Sequence, residues 1–146
     1  MDKRILAVAS AGGHWEQMRL LQPAFGGEVH FLSTRPGQTI GGRPVPVVRD
    51  CNRRTPWRAV LCTIQLWGKV GALRPDLVVS TGALPGLLAL LVARLQRRRT
   101  VWIDSVANAE RLSASGRMAL RFADLCLTQW PHLERPEGPR YLGSLL

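Results

Sequence analysis

The chain reads as an α/β domain, a parallel sheet with helices on both faces. Three observations predict this. Short apolar runs alternate with helical stretches along the whole length. The first run, Ile5-Leu6-Ala7-Val8-Ala9, is apolar at every position, the pattern of a strand covered on both sides. That run then ends in Ser10-Ala11-Gly12-Gly13-His14, a glycine turn that opens straight into a helix.

Taken in order, residues 5–9 form the first strand. A helix over about 14–22 follows, with Met18, Leu21 and Phe25 on one side and Pro23 at its end. Residues 28–34 read as the second strand, with His30 a strand residue rather than a ligand. Pro36, Gly37, Gly41 and Gly42 mark a loop. Residues 44–48, with two prolines, read as a short third strand near a sheet edge. Thr55-Pro56 starts a helix, with Thr as N-cap and Pro at the first helical position. Trp57, Val60, Leu61, Ile64 and Trp67 recur at helical spacing from there to Gly68 or Gly71. Arg53, Arg54, Arg58 and Lys69 flank the stripe, which either packs on the sheet or lies as an interfacial helix against an anionic bilayer.

Residues 76–81 (Asp-Leu-Val-Val-Ser-Thr) are the most strand-like run. Gly82-Ala83-Leu84-Pro85-Gly86 leads from it into an apolar helix that ends near Leu95. Residues 77–93 carry no charge, but this segment of seventeen would rise only about 26 Å as a helix and is broken by Ser80-Thr81-Gly82 and Leu84-Pro85-Gly86. It reads as core. After Arg97-Arg98-Arg99 come a strand over 100–105, a loop with Asn108, Glu110 and Arg111, a helix over about 115–122 and a strand over 125–128. The chain closes on Tyr141-Leu142-Gly143-Ser144-Leu145-Leu146.

At 146 residues the chain suits one domain, and a chain this long buries about 68–70% of its unfolded surface. Apolar residues at 46% and charged ones at 21% exclude a disordered chain. Cys51, Cys62 and Cys126 are odd in number and lack a CxxC pair, so neither a disulfide framework nor a metal site is expected. Twenty Lys and Arg against ten Asp and Glu give a net charge of +10, which favours an anionic partner. The five apolar residues after Met1-Asp2-Lys3-Arg4 are too few for a secretory leader. A cytoplasmic setting is expected.

In parallel α/β sheets, ligands bind beyond the carboxyl ends of the strands. Gly12, Gly13 and His14 lie at one such end, Thr81 and Gly82 at another, Asp104 and Ser105 at a third. Adjacent glycines and the amides of a helix start favour an anion. No G-x-G-x-x-G fingerprint follows the first strand, no acidic residue closes the second, and there is no Walker lysine. These absences argue against dinucleotide and P-loop sites, and no cofactor is expected.

Several ordered motifs then resemble one family. They are Ser10-x-Gly12-Gly13-His14, Arg74-Pro75-Asp76 with Ser80-Thr81-Gly82-Ala83 and Pro85-Gly86, Ile103-Asp104-Ser105, Arg111-Leu112-Ser113 with Ser115-Gly116-Arg117, Ala123-Asp124, Gln129-Trp130-Pro131 and Tyr141-Leu142-Gly143-Ser144. The chain resembles the membrane-recruiting subunit of the split UDP-N-acetylglucosamine transferase of dolichol-linked oligosaccharide assembly, and its bacterial exopolysaccharide (PssD-type) relatives. The glycine-histidine loop is more distantly similar to that of the peptidoglycan lipid-intermediate N-acetylglucosaminyltransferase.

The resemblance implies a Rossmann-like domain, 1–146, equivalent to the N-terminal half of a GT-B glycosyltransferase. It implies a component of a split enzyme, inactive alone, that holds a polyprenyl-diphosphate-linked sugar acceptor at the membrane and recruits a UDP-sugar-binding subunit. The acceptor diphosphate would sit over Ser10, Gly12, Gly13, Thr81, Gly82 and Ser105. His14 is either the base that accepts the proton of the attacking hydroxyl or an acceptor contact. Asp104 and Glu110 are the other candidate bases, Asp104 alternatively capping the loop after its strand. Eukaryotic members carry an N-terminal transmembrane helix, whereas here the first strand begins at once. Attachment is therefore expected to be peripheral, on the inner face of the plasma membrane, through Trp57, Arg58, Leu61, Ile64 and Trp67, with each well-placed cation worth about 1 kcal/mol. The same surface could instead meet the partner chain. The rival readings are a self-sufficient small transferase using His14 and a basic nucleic-acid-binding module. The second lacks any recognised motif, its tryptophans sitting in apolar stripes rather than among the arginines.

Overall fold

The computed structural model describes residues 3–144; Met1, Asp2, Leu145 and Leu146 lie outside this range. Along the chain the strands are β1 (Arg4–Ala9), β2 (Glu28–Ser33), β3 (Thr39–Ile40), β4 (Arg43–Pro44), β5 (Leu77–Ser80), β6 (Arg99–Ile103), β7 (Leu125–Thr128) and β8 (Arg140–Tyr141). Six of them form one parallel sheet in the order β2-β1-β5-β6-β7-β8. The remaining pair, β3 and β4, makes a small antiparallel hairpin of its own.

β1 carries the alternation that organises the core. Leu6 and Val8 face one side and join Val78 and Trp102 under the buried faces of α2 (Pro56–Leu73), α3 (Ala83–Leu95) and α4 (Ala114–Ala119). Ile5, Ala7 and Ala9 face the other side, where Trp15 and Met18 of α1 (Gly13–Leu21) pack with Phe31, Val79 and Ile103. Trp15 meets the Phe31 ring edge-on at a centroid distance of 6.2 Å. Helices thus cover both faces, as the uniformly apolar first strand predicts.

Two expectations need correction, and between two alternatives left open for α2 the burial pattern chooses. Residues 44–48 do not form a strand of the main sheet. Ser33 instead makes one parallel bridge to Val47, its N–H donating to Pro46 O at 3.1 Å while its carbonyl accepts from Val48 N at 2.9 Å. Pro44 and Pro46 lack the N–H groups a continuous ladder needs. The helix from Thr55-Pro56 runs past Gly68 and Gly71 to Leu73, and ends at Arg74 in the left-handed region (φ 49°) before Pro75. Burial of Leu66 and Val70 outweighs a glycine penalty of about 1 kcal/mol each. Finally, the apolar stripe of α2 does not pack on the sheet. Its buried face is Cys62, Leu66 and Val70, whereas Trp57 is 56% exposed, Ile64 62% and Trp67 50%.

Strand order reverses between β1 and β5, because the chain leaves β1 for β2 on one side and returns to β5 on the other. That reversal is where an open α/β sheet offers a crevice.

Candidate functional site

The β1–α1 turn and the β5–α3 turn meet at this reversal. Gly12 precedes α1 at φ 85°, a left-handed conformation that favours glycine, and Glu16 N donates to its carbonyl at 3.1 Å as the first turn closes. Gly12 and Gly13 are exposed, and a Cβ built at either would touch nothing within 4 Å. The backbone there is open to a ligand. From the second strand, Thr34 Oγ1 accepts from Ala11 N at 3.1 Å and ties the turn down.

His14 is fixed by two bonds to one residue. Its Nδ1–H donates to the Thr81 carbonyl at 3.1 Å, and Thr81 Oγ1 donates to the His14 carbonyl at 2.7 Å. A carbonyl can only accept, so the proton of the neutral ring resides on Nδ1 and Nε2 carries a lone pair. The ring lies against the Gly82 backbone, so closely that a Cβ at this position would collide with it. Gly82 itself sits at φ 149°, and Ala83 follows at φ 65°. Only glycine satisfies both the conformation and the contact at position 82.

The two helices that start here differ from α4, while the N-cap Thr55 of α2 also makes no side-chain cap bond. α1 and α3 have glycine N-caps with no side-chain cap, whereas the N-cap Ser113 of α4 accepts from Gly116 N through its own hydroxyl. First-turn amides of α1 and α3 therefore remain available to an anion at the reversal. Glu16, the acidic residue of the first α1 turn, turns away to Arg19 at 3.4 Å. Ser10 Oγ is buried and has no hydrogen-bond partner among the described residues.

Asp104 occupies a different position. It is 1% exposed, and both carboxylate oxygens are engaged. Oδ1 accepts from Ser113 Oγ (2.6 Å) and Trp102 Nε1 (3.0 Å), and Oδ2 from Ser113 N (3.0 Å) and Asn108 Nδ2 (3.2 Å). This geometry is that of a loop cap, the alternative role raised from the sequence, and it leaves the carboxylate no open face. Its charge and the surrounding burial push the Cys126 thiol up to about 12, burial being the larger cause. Glu110 is exposed on the bend of the same loop, with no hydrogen bond among the described residues. The loop is clamped from outside, Trp130 Nε1 donating to Val106 O at 2.8 Å and His132 Nε2 donating to Ala109 O.

Ser105 is linked to the glycine turn through Gln17, whose Nε2 donates to Ser105 Oγ at 3.0 Å. Gln17 Oε1 accepts from Val106 N and from Gln129 Nε2, and Gln129 Nε2 also donates to Asp104 O at 3.1 Å. Gln129 stands in one of the motifs that carry the resemblance, but neither it nor Gln17 was among the candidate site residues read from the sequence. The signals were present: Gln17 lies one helical turn after His14, and Gln129 follows β7 as Asp104 follows β6. No group of three or more His, Cys, Asp or Glu side chains able to hold a metal ion occurs among the described residues.

The α2 stripe forms a second feature. α2 runs back against the strand direction. Its last turn meets Arg4 at the start of β1, where Arg4 Nη1 donates to Leu73 O at 2.6 Å, so Trp57 lies toward the site end of the sheet. Arg58 covers the Trp57 ring at 5.0 Å, and Leu91 and Leu95 of α3 are also exposed. α3 is tied to α2 by Gln96 Nε2 donating to Trp67 O at 3.1 Å.

Known structures with this fold agree on its class. MurG from Acinetobacter baumannii is similar with a TM-score of 0.72 at 15% identity, over 95% of this chain and 45% of that one. UDP-N-acetylglucosamine 2-epimerase from Rickettsia bellii is similar with a TM-score of 0.75 at 14% identity, over 99% and 46%. The fold is the Rossmann-like half of the GT-B architecture. The family described as "Oligosaccharide biosynthesis protein Alg14 like" matches residues 69–145, more than half of the chain. The chain belongs to that family. A curated relative, the UDP-N-acetylglucosamine transferase subunit ALG14 of Eremothecium gossypii, is 38% identical over 79 residues. That match covers 49% of this chain and 35% of the relative, so the chain spans about a third of the relative's length.

Proposed function

We propose that this chain is the acceptor-side subunit of a two-chain glycosyltransferase. It binds a polyprenyl-diphosphate-linked sugar at the cytoplasmic face of the plasma membrane and recruits a second chain that carries the UDP-sugar. The single observation that carries the reading is the strand-order reversal, where two uncapped helix starts flank a histidine whose tautomer is fixed. Family membership supports it, as does the likeness of the fold to a GT-B structure.

The diphosphate rests on the Gly12, Gly13 and Gly82 backbone, with Ser105 on the far wall. The sugar hydroxyl that attacks the donor carbon then faces His14 Nε2, which accepts its proton as the new glycosidic bond forms and the UDP leaves from the partner's side. Asp104 holds the loop that carries Ser105, and Glu110 stands at its rim as a sugar-hydroxyl acceptor. The exposed stripe of Trp57, Leu61, Ile64 and Trp67, with Arg58, seats the domain on anionic lipid so that the diphosphate meets the site at the bilayer surface. None of the described helices is long and apolar enough to cross a membrane. Residues 3–144 act as one acceptor-binding unit.

Reconstitution with the co-purified partner tests this. The chain alone should transfer no sugar, and the pair should be active. His14→Ala in the pair should lower kcat by about 10²-fold or more with little change in the Kd for acceptor. Full activity of the mutant pair would remove His14 as the base, and turnover by the isolated chain would overturn the division of labour.

A further inference from the structure

We propose that Gln17 is a positioning residue that makes the Ser105 hydroxyl an outward hydrogen-bond donor, aimed at the acceptor's diphosphate; this rests on the acceptor-binding reading above.

The polarity follows bond by bond from the backbone. The Asp104 carbonyl can only accept, so the group that Gln129 presents to it is the amide NH₂. The same Nε2 is bonded to Gln17, so the Gln17 atom facing it must be oxygen. Val106 N–H, donating to that atom at 3.3 Å, requires the same assignment. With Oε1 taken, Gln17 turns its Nε2 toward Ser105 Oγ and donates at 3.0 Å. Ala107 N–H donates to the same oxygen at 3.1 Å. Both lone pairs of Ser105 are then filled by nitrogens that cannot accept in return. Among the described residues no acceptor meets the hydroxyl proton, which is left for a ligand, and an anionic oxygen is the strongest acceptor a ligand can offer.

Burial locks this arrangement. Gln17 is 7% exposed and Gln129 4%, so flipping Gln17 would set donor against donor, and flipping Gln129 acceptor against acceptor, where water cannot compensate. Ser105, at the carboxyl end of β6, is only half-buried. A backbone carbonyl thus dictates, through two side-chain amides, what a surface hydroxyl offers to a ligand. Gln17 has a second effect, since it joins α1, which carries His14, to the β6 and β7 strand ends.

Calorimetric titration of the full chain with inorganic diphosphate and with geranyl diphosphate tests the idea. Ser105→Ala should weaken binding by about tenfold, the value of one hydrogen bond to a charged group. Gln17→Glu at pH 8 should weaken it equally. Its carboxylate still accepts from Val106 N and Gln129 Nε2 but must also accept from Ser105, drawing the proton inward. The double variant should be no weaker than either single one. Lowering the pH should return the Gln17→Glu affinity toward wild type measured at the same pH, because a protonated carboxyl donates to Ser105 as the amide does. If Gln17→Glu shows no cooperative thermal unfolding, Gln17→Met replaces it. Methionine offers Ser105 no acceptor, so affinity should fall less than about threefold, and a loss equal to that of Ser105→Ala overturns the proposal. Wild-type binding that Gln17→Glu or Ser105→Ala matches at pH 8 overturns the polarity argument alone. Wild-type failure to bind either ligand overturns it together with the acceptor reading.

Discussion

Asp104 shows why a buried carboxylate at a strand end need not be a reacting group. Four donors converge on its two oxygens, and nothing remains to accept from a substrate. An Asp104→Asn substitution keeps the shape but points an NH₂ either at Trp102 Nε1 or at Ser113 N and Asn108 Nδ2, none of which can accept. It should destabilise the fold by about 2–3 kcal/mol, seen as a lower denaturation midpoint at unchanged m-value. Acceptor affinity in the folded fraction should fall only through the displaced Ser105. A stable Asp104→Asn variant with abolished turnover would return Asp104 to the list of bases.

At the scale of elements, α2 poses the sharper problem. A helix that packs on a sheet with one face normally exposes polar residues on the other, yet here the outward face carries two tryptophans and an isoleucine. Trp57→Ser with Ile64→Ser should reduce partition onto anionic vesicles by about tenfold or more while leaving the melting temperature nearly unchanged, since neither side chain is buried in the fold. A fall in stability without a change in vesicle sedimentation would mean that the stripe serves the chain itself. The stripe was legible from the sequence as a helical repeat, but its orientation was not. Two faces of α2 are apolar, and periodicity alone does not choose between Trp57-Leu61-Ile64 and Cys62-Leu66-Val70. Tertiary contact with α3 makes that choice. The strands from β1 to β7 in the main sheet were readable because each is a short apolar run between turn residues. The two-residue β8 was not, since Arg140-Tyr141 pairs only through its position beside Leu127 and Thr128. His14, Thr81 and Gly82 were placed together by topology, from the ends of two strands. The bond between Gln17 and Gln129 was not legible, because it joins residues 112 apart in sequence and amide side chains carry no periodic signal that pairs them.

For the molecule as a whole, charge and pH behave unusually. Eighteen of the twenty cations are arginine, leaving Lys3 and Lys69 as the lysines. Arginine stays charged throughout the working range, so few basic groups titrate below pH about 11. The buried thiols supply the alkaline response instead. Cys62 and Cys126 are both pushed up to about 12, chiefly by burial, and Cys51 is raised as well. Below pH about 9 the folded and unfolded chains both hold these protons. Between about 9 and 12 only the unfolded chain releases them, so it binds fewer protons than the native state and stability falls as pH rises. The melting temperature should therefore decline steadily from about pH 9 to 11, and Cys126→Ala should flatten that slope whatever it does to the value at neutral pH. An unchanged slope would show that the thiols do not set it.

The bond from His14 Nδ1–H to the Thr81 carbonyl has one more consequence. Many histidines must break or exchange a contact when they gain a proton, because one nitrogen changes from acceptor to donor while it is holding the ring. Here the anchoring nitrogen is a donor in both charge states. Nε2 can take up a proton and release it while the imidazole stays in the same place, so in the transfer proposed above the moving part would be the proton and not the side chain.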